Sequence, residues 1–242
     1  MRYQGGKSRI AKPIAMILSA ASGGGTFVSL FCGSCSVESK VTGFEKKILN
    51  DKHKYLIALL NGVKDGYELP EYISENQYQY IRTHKDEDKI LTGFVGFGCS
   101  FGGKWFGGYA RNKEQTNYAA QSKKSLLKDM ATLMDAEFIC KDYHDVELPG
   151  GCVIYADPPY ANTTMYSGEK FNSDEFWDYA RSVSKHHLMF ISEQSAPDDF
   201  VCIWERPFTR TLDVNKNNQF QITEKLYIHK CNQELFEQRT VI

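Results

Sequence analysis

The stretch VIYADPPY, residues 153–160, decides how the rest of the chain is interpreted. Its first four residues are apolar and rich in branched and aromatic side chains, which predicts a short buried strand. The two prolines end that strand, because proline lacks a backbone N–H and restricts the preceding residue to extended geometry. The sequence therefore predicts a stiff turn that presents the carboxylate of Asp157 and the aromatic face of Tyr160. In open α/β sheets, ligands bind at this carboxyl end of the strands.

A strand–loop–helix pattern lies closer to the N-terminus. Residues 26–31 have the composition of a buried strand, residues 32–36 form a loop of small residues around Gly33, and Val37-Glu38 is predicted to open a helix. Dinucleotide-type folds hold their cofactor at such a loop, because small side chains let the backbone approach the ligand. An ordinary strand-to-helix turn has the same pattern, so the loop alone does not decide between the two interpretations.

An acidic residue follows the next predicted strand, residues 44–49. Asp51 lies roughly 20 residues after the loop, the distance at which an acid reaches ribose hydroxyls in such folds. A carboxylate can accept two hydrogen bonds from a diol. Asp51 also precedes a helical pattern of apolar residues and could serve as its N-cap. The two roles are compatible.

The chain changes character between residues 62 and 136. Two predicted helical segments, 71–83 and 121–134, flank a stretch rich in glycine and aromatic residues, 94–109. Interleaved aromatic and cationic side chains are suited to stacking on bases and contacting phosphates. The candidate nucleic-acid contacts are Lys104, Trp105, Tyr109, Arg111 and Lys113. The alternative is that the aromatic residues of this stretch, Trp105 among them, fold into the core.

Taken in order, these segments resemble the Dam-like, D12-class family of adenine-specific DNA N6-methyltransferases. The resemblance starts with an aromatic residue, two glycines and a lysine at Tyr3-Gln4-Gly5-Gly6-Lys7, continues through the small-residue loop, Asn50-Asp51 and the inserted region, and ends at the Asp-Pro-Pro-Tyr turn. It covers nearly the whole chain. One departure is that Ser34 and Cys35 stand where the family commonly has glycine.

The resemblance implies a role for each candidate residue. The catalytic residues would be Asp157, Pro158 and Tyr160. The residues that bind the cofactor, S-adenosylmethionine, would be Tyr3, Lys7, Phe31, Gly33, Ser36, Asp51, Asp142, Tyr143 and Asp157. Within that set, Tyr3 and Lys7 would line the methionine end, Asp51 would hold the ribose, and Asp142 with Tyr143 would contact the adenine. The five residues between 104 and 113 would contact double-stranded DNA.

The expected fold class is α/β: a Rossmann-like methyltransferase sheet, mixed, with an antiparallel closing strand and an inserted, mainly helical target-recognition region. The expected division is a cofactor-binding first part (1–61), the inserted region (62–136) and a second catalytic part (137–242). The closing strands are predicted at residues 201–205 and 225–229, with a flexible loop over 209–223 that could also contact DNA.

Composition limits the remaining possibilities. The chain has 242 residues, a net charge of −1 and 7 scattered cysteines. An odd, scattered set of thiols is not a disulfide framework, and the start of the chain lacks the apolar core of a signal peptide, so a cytoplasmic protein without a membrane segment is expected. Cys32 and Cys35 have metal-like spacing, but no second pair completes a site, so no metal is expected. A monomer or weak dimer is the expected state.

The expected activity is transfer of a methyl group to the amino group of a flipped adenine in duplex DNA. Two alternatives remain open at this stage. One is an RNA adenine or a cytosine-N4 methyltransferase, because the same turn serves other planar amino substrates. The other is a catalytically silent DNA-binding relative, which the substitutions at Ser34 and Cys35 would allow.

Overall fold

The computed structural model describes residues 1–159, 171–211 and 219–240, and it is built on one mixed seven-stranded sheet. The strand order is β3-β2-β1-β4-β5-β7-β6. The strands are β1 (Gly24–Ser29), β2 (Phe44–Asn50), β3 (Glu137–Ile139), β4 (Val153–Ala156), β5 (Leu188–Glu193), β6 (Phe200–Thr211) and β7 (Gln219–His229). The first five strands run parallel, and β7 pairs antiparallel with both β5 and β6. The expected Rossmann-like α/β class with an antiparallel closing strand is confirmed.

The strand order reverses between β1 and β4, which lie side by side at the centre of the sheet. Val28 pairs with Ile154 in parallel register, and beyond the strand end the Leu30 N–H donates to the Tyr155 carbonyl at 3.0 Å. Such a reversal leaves a crevice beyond the carboxyl ends of the two strands. The fold therefore brings the small-residue loop and the Asp-Pro-Pro turn to the same edge.

Both faces of the sheet are covered. The helices are α1 (Ala11–Ala20), α2 (Lys54–Lys64), α3 (Glu75–Thr83), α4 (Lys89–Gly93), α5 (Tyr118–Met130), α6 (Ser173–Ser184) and α7 (Gln233–Thr240). Within β4, Val153 and Tyr155 join the core that includes α1, α2 and α5, whereas Ile154 and Ala156 join the core that includes α6. Alternate residues of a strand point to opposite faces, so this central strand is buried on both sides. None of the helices among the described residues has the length and apolar content needed to span a bilayer.

The segment between α2 and β3 is mainly helical, as expected. After α4 the chain continues as a π-helix, Phe94–Gly98, and then as a short 3-10 turn, Phe101–Gly103. Buried residues from this segment share one apolar cluster with α1, α2 and alternate sheet residues; Phe94, Phe97 and Leu126 are among them. The helical segment thus packs on the same core as one face of the sheet.

Several local expectations are wrong. Residues 209–223 are predicted as a loop, but β6 and β7 extend to a pairing of Thr211 with Gln219; the middle of the predicted loop, 212–218, lies outside the described residues. Backbone hydrogen bonds between two strands do not depend on apolar side chains, so a polar composition does not prevent this pairing. The helix expected after Val37-Glu38 is one 3-10 turn, Glu38–Lys40, because the backbone is already extended at Val41 on its way to β2.

Candidate active site

A cavity of about 940 Å³ opens at the carboxyl ends of β1, β2 and β4. Its wall contains the N-terminal segment, the loop after β1, the residues after β2, the 3-10 turn at residues 143–145 and the Asp-Pro-Pro turn. It also contains most of the residues that the sequence nominates: Tyr3, Lys7, Phe31, Gly33, Ser36, Asp51, Asp142, Tyr143, Asp157 and Pro158. Residues separated by up to 155 positions therefore meet at one site. Tyr160 lies outside the described residues.

A buried ion-pair network forms the floor of the cavity. The Lys7 Nζ lies 2.8 Å from Asp157 Oδ1 and 3.5 Å from Glu224 Oε2. The side chain of Lys7 is 5% exposed and that of Glu224 4%, whereas that of Asp157 is 21% exposed. Lys7 thus stabilises two carboxylates, of which Asp157 is the more accessible from the cavity.

Burial shifts the ionisation of the acids around this floor. It raises the pKa of Asp157 to about 6, although the neighbouring Lys7 ammonium opposes the shift. Burial also raises the pKa of Glu38 and of Glu193 to about 7. Strongly shifted carboxyl groups that line a cleft are typical of functional sites. At neutral pH Asp157 is mainly ionised, and its carboxylate is a hydrogen-bond acceptor.

Glu38 is the most deeply buried acid in the cavity wall. The residue is 2% exposed, and the Ser29 hydroxyl donates to its Oε1 at 2.8 Å. Because the pKa in the folded state is about 7 and the ordinary value is 4.5, the neutral acid stabilises the fold. That stabilisation is complete below pH 4.5 and is lost as the pH rises through about 7.

Glu38→Gln is expected to raise the melting temperature by about 5 °C at pH 8, because glutamine reproduces the neutral acid at every pH. The difference in melting temperature between Glu38→Gln and the parent protein should decrease below pH 7 and vanish near pH 4.5. Differential scanning fluorimetry across this range tests the expectation. Glu45→Gln, an exposed change on β2, serves as the control and should have little effect. Equal stability of Glu38→Gln and the parent protein at pH 8 would contradict the assignment.

The loop after β1 is fixed to the end of β2. The Gly33 N–H donates to Asp51 Oδ2 at 3.0 Å, and the His53 N–H donates to Oδ1 at 2.9 Å. Gly33 has φ +47°, and a side chain there would meet the Tyr3 ring. The helix α2 is capped by His53, whose Nδ1 accepts from the Leu56 N–H, so the alternative role of Asp51 as N-cap is wrong.

Two residues of this region make contacts that the sequence does not predict. Asn50 is 1% exposed; its amide donates to the Leu30 carbonyl at 2.9 Å and accepts from the Lys141 N–H at 3.0 Å. It therefore joins the ends of β1, β2 and β3. His53 lies in the cavity wall, and burial lowers its pKa to about 4, which keeps its ring neutral. Asn50 contacts Leu30 and Lys141, and His53 packs on Trp105; these partners are distant in sequence, so no local pattern indicates the contacts.

The substituted position of the loop, Cys35, is also well packed. Its φ is +57°, a left-handed conformation, and the residue is 1% exposed. Its neighbour Cys32 is buried as well, and burial raises the pKa of the Cys32 thiol. At Cys35 the contact with Cys32 lowers the pKa, but burial and nearby carboxylates outweigh it, so the pKa of this thiol is also raised. Both thiols are therefore poor nucleophiles. No group of three or more potential metal ligands occurs among the residues that the structure describes.

Aromatic rings form another part of the wall. Phe31 packs on Tyr143 with ring centroids 5.3 Å apart, and Phe171 and Phe176 pack on both. Asp142 lies at the rim beside Tyr143, where its carboxylate is 3.0 Å from Lys52 Nζ and accepts from the His144 N–H. The Lys52 and His144 contacts lower the pKa of Asp142 despite partial burial.

Trp105 faces the cavity from within an aromatic cluster. Its ring lies 4.3 Å from His53 and 4.7 Å from Phe97 between centroids, and it stacks on Tyr55 at 5.4 Å. A side chain at Gly96 would overlap the ring, so this glycine makes room for it. Trp105 is therefore half-buried, packed against the core and part of the cavity wall, and its contact with DNA stays a prediction.

The other nominated DNA contacts divide into two kinds. Tyr109 packs on Tyr78, and its hydroxyl donates to the Ile73 carbonyl at 2.7 Å, which makes it a bracing residue of the helical segment. Lys104, Arg111 and Lys113 are exposed. Lys104 also belongs to the cavity wall, and Arg111 is paired with Glu75 at 3.2 Å. The cations remain candidates for phosphate contact.

Comparisons with known proteins give this geometry a context. The chain resembles the rRNA methyltransferase AviRa from Streptomyces viridochromogenes, with 13% identity, 93% and 86% of the two chains covered and a TM-score of 0.43. It also resembles an S-adenosylmethionine-dependent methyltransferase from Clostridium acetobutylicum, with 10% identity, 97% and 78% covered and a TM-score of 0.35. No curated protein sequence matches the chain.

A family model provides the decisive match. The model of the D12 class N6 adenine-specific DNA methyltransferases aligns with residues 3–92 and 103–200, more than three quarters of the 242 residues. The matched segments include Lys7, Asp51 and the Asp-Pro-Pro-Tyr turn. The chain therefore belongs to the D12 class N6 adenine-specific DNA methyltransferase family, an S-adenosylmethionine-dependent family of enzymes.

Proposed function

We propose that this methyltransferase transfers a methyl group to the N6 amino group of an adenine in duplex DNA, at a particular sequence. The observation that carries the proposal is the position of Asp157. Its partly exposed carboxylate lies at the floor of a large cavity, beside Lys7 and at the end of the central strand β4. A hydrogen-bond acceptor at that place is suited to an amino group that enters the cavity.

The cavity fits S-adenosylmethionine in size and chemistry. A volume of about 940 Å³ is ample for a ligand of this kind. We propose that Phe31 and Tyr143 contact the adenine ring, with Asp142 near its amino group. Asp51 would accept hydrogen bonds from the ribose, because its two oxygens each retain a lone pair after their backbone contacts. Gly33, Ser36, Tyr3 and Lys7 would surround the methionine end.

When bound, S-adenosylmethionine supplies a methyl group on a positively charged sulfur. The target amino group is a weak nucleophile, because its lone pair is delocalised into the ring. We propose that Asp157 accepts one amino hydrogen and the Pro158 carbonyl the other, which directs the lone pair towards the methyl group. Lys7 keeps Asp157 ionised for this task. The sequence alone places Tyr160 beside this turn, where its ring would stack on the base.

The base must leave the duplex to reach a carboxylate at the floor of a cavity. We propose that the helical segment, residues 62–136, holds the DNA while this occurs. Exposed Lys104, Arg111 and Lys113 would contact phosphates, and Trp105 and Tyr109 would support the cavity mouth against the extruded base. The proposed division of the chain is thus a recognition segment between two parts of one catalytic sheet.

A methyl-transfer assay with tritiated S-adenosylmethionine on duplex DNA and on RNA tests the proposal. Base analysis of the product should find N6-methyladenine in DNA. Labelled RNA would indicate an RNA methyltransferase instead, and N4-methylcytosine would indicate a cytosine-N4 methyltransferase. If the cofactor binds in calorimetry but no nucleic acid becomes labelled, the protein is a silent relative.

Lys104→Ala and Arg111→Ala are each expected to weaken binding of duplex DNA by about threefold to tenfold at moderate salt, because each removes one phosphate contact. The loss should shrink as salt increases. Fluorescence anisotropy with labelled DNA measures the affinity, and calorimetry measures cofactor binding, which should not change for Arg111→Ala. Lys12→Ala, on the distant helix α1, is the control. An Arg111→Ala variant that loses both affinities equally would contradict the assignment.

A further inference from the structure

Glu224 contacts the catalytic floor from behind. It lies on β7, the strand inserted between β5 and β6, and is 3% exposed. Its Oε2 is 3.5 Å from Lys7 Nζ, yet Glu224 is not among the described residues that line the cavity, whereas Lys7 and Asp157 are. A group in this position acts on the cavity through its contact with Lys7 and through its charge, which affects Asp157.

A second buried carboxylate at Lys7 is not needed for charge balance. Asp157 already lies 2.8 Å from the ammonium, and Glu224 adds a second acid at 3.5 Å. Taking a further acid out of water is costly, and a buried ion pair is by itself weak evidence for stability. The contact therefore calls for an explanation other than stability.

Geometry offers that explanation. A lysine ammonium sits on a flexible four-carbon stem and donates in three directions. With Asp157 alone as its anchor, Lys7 and the carboxylate could move together. Glu224 provides a second anchor that fixes the ammonium. Its strand is held firmly, because β7 is hydrogen-bonded to β5 on one edge and to β6 on the other.

We propose that Glu224 is a positioning residue of the methyl-transfer centre: it holds the Lys7 ammonium against Asp157 and so fixes the place of that carboxylate. The inference rests on the proposed function, in which Asp157 receives the target amino group. The inference also gives the antiparallel pair β6–β7 a role in positioning the reacting groups, which the family resemblance does not imply.

Other titratable groups near Asp157 also influence its ionisation. Lys7 and Glu224 act electrostatically on Asp157, and the charge of Asp157 in turn acts on three buried or half-buried groups: Glu38, Tyr155 and Glu193. Lys7 favours the ionised form of Asp157 and Glu224 opposes it. Removal of the Glu224 charge should therefore lower the pH at which Asp157 loses its proton.

Carbon-13 NMR of the cofactor-free protein, labelled at the aspartate carboxyl carbons, measures this ionisation without any methyl transfer. Asp157→Asn identifies the resonance, which should titrate near pH 6 in the parent protein. Glu224→Gln should move the midpoint to lower pH by roughly one unit. Glu205→Gln makes the same change on the exposed part of β6 and should leave the midpoint where it was. An unmoved midpoint in folded Glu224→Gln, or an equal move in Glu205→Gln, would overturn the inference.

Glu224→Asp separates position from charge and provides a second test if the glutamine variant does not fold. It keeps the carboxylate but shortens the arm, so kcat on DNA should fall by roughly tenfold. Unchanged kcat would count against a positioning role. If the parent protein transfers no methyl group to DNA, the proposed function fails, and the NMR titration still decides the role of Glu224.

Discussion

Asp157→Asn is expected to lower kcat for DNA methylation by about 10²–10³-fold while S-adenosylmethionine still binds. Asparagine has the same shape, but it carries no charge and presents one oxygen instead of two. It therefore accepts the amino hydrogen weakly and loses the ion pair with Lys7 at 2.8 Å. Single-turnover assays measure the chemical step, and calorimetry measures binding of the cofactor. Turnover at the parental rate would refute the assignment of Asp157.

The same residue predicts the pH dependence of the parent enzyme. Only the ionised form of Asp157 can accept an amino hydrogen, and its pKa is about 6. The chemical rate should therefore be constant at high pH and fall as the pH decreases through about 6. Single-turnover rates between pH 5 and 8 test this without interference from product release.

Asp51→Ala is expected to weaken cofactor binding by about 10–100-fold, because hydrogen bonds to a charged group typically contribute about 1.5–3 kcal/mol. Two causes combine here. The change removes the proposed acceptor for the ribose, and it frees the Gly33 N–H from the carboxylate that holds the loop, a contact of 3.0 Å. Titration calorimetry with S-adenosylmethionine gives the affinity directly.

Asp142→Ala is the comparison for that experiment. Its carboxylate lies at the rim, is 32% exposed and is already engaged by Lys52. A loss of about threefold or less is expected, because water can replace a rim contact. A larger loss for Asp142→Ala than for Asp51→Ala would mean that the cofactor is held mainly at its adenine end, contrary to the proposal.

The sheet could be predicted from sequence because its signals are local. Each buried strand has a short apolar run, and the prolines after Asp157 mark where the central strand ends. The cavity residues followed from these strand ends, since parallel strands deliver their carboxyl ends to one edge. The nominated cofactor residues accordingly lie around a single cavity.

The errors and omissions depend on distant partners. An aromatic residue among glycines and lysines is equally compatible with a base-stacking surface and with a packed wall, and the sequence does not show that Gly96 leaves space for the Trp105 ring. Glu224 lies in a polar stretch near a predicted loop, and nothing in its neighbourhood indicates that Lys7, 217 positions earlier, will meet it. Such pairings become visible only when the strand order is known.

The left-handed backbone at Cys35 has a consequence for remote-homology detection and for engineering. A non-glycine residue in this conformation costs about 1–2 kcal/mol, so the surrounding packing must dictate the path of the chain. Search patterns that demand glycine there would overlook such enzymes. Because Cys35 is 1% exposed, a library that varies this position should tolerate compact side chains and reject large ones.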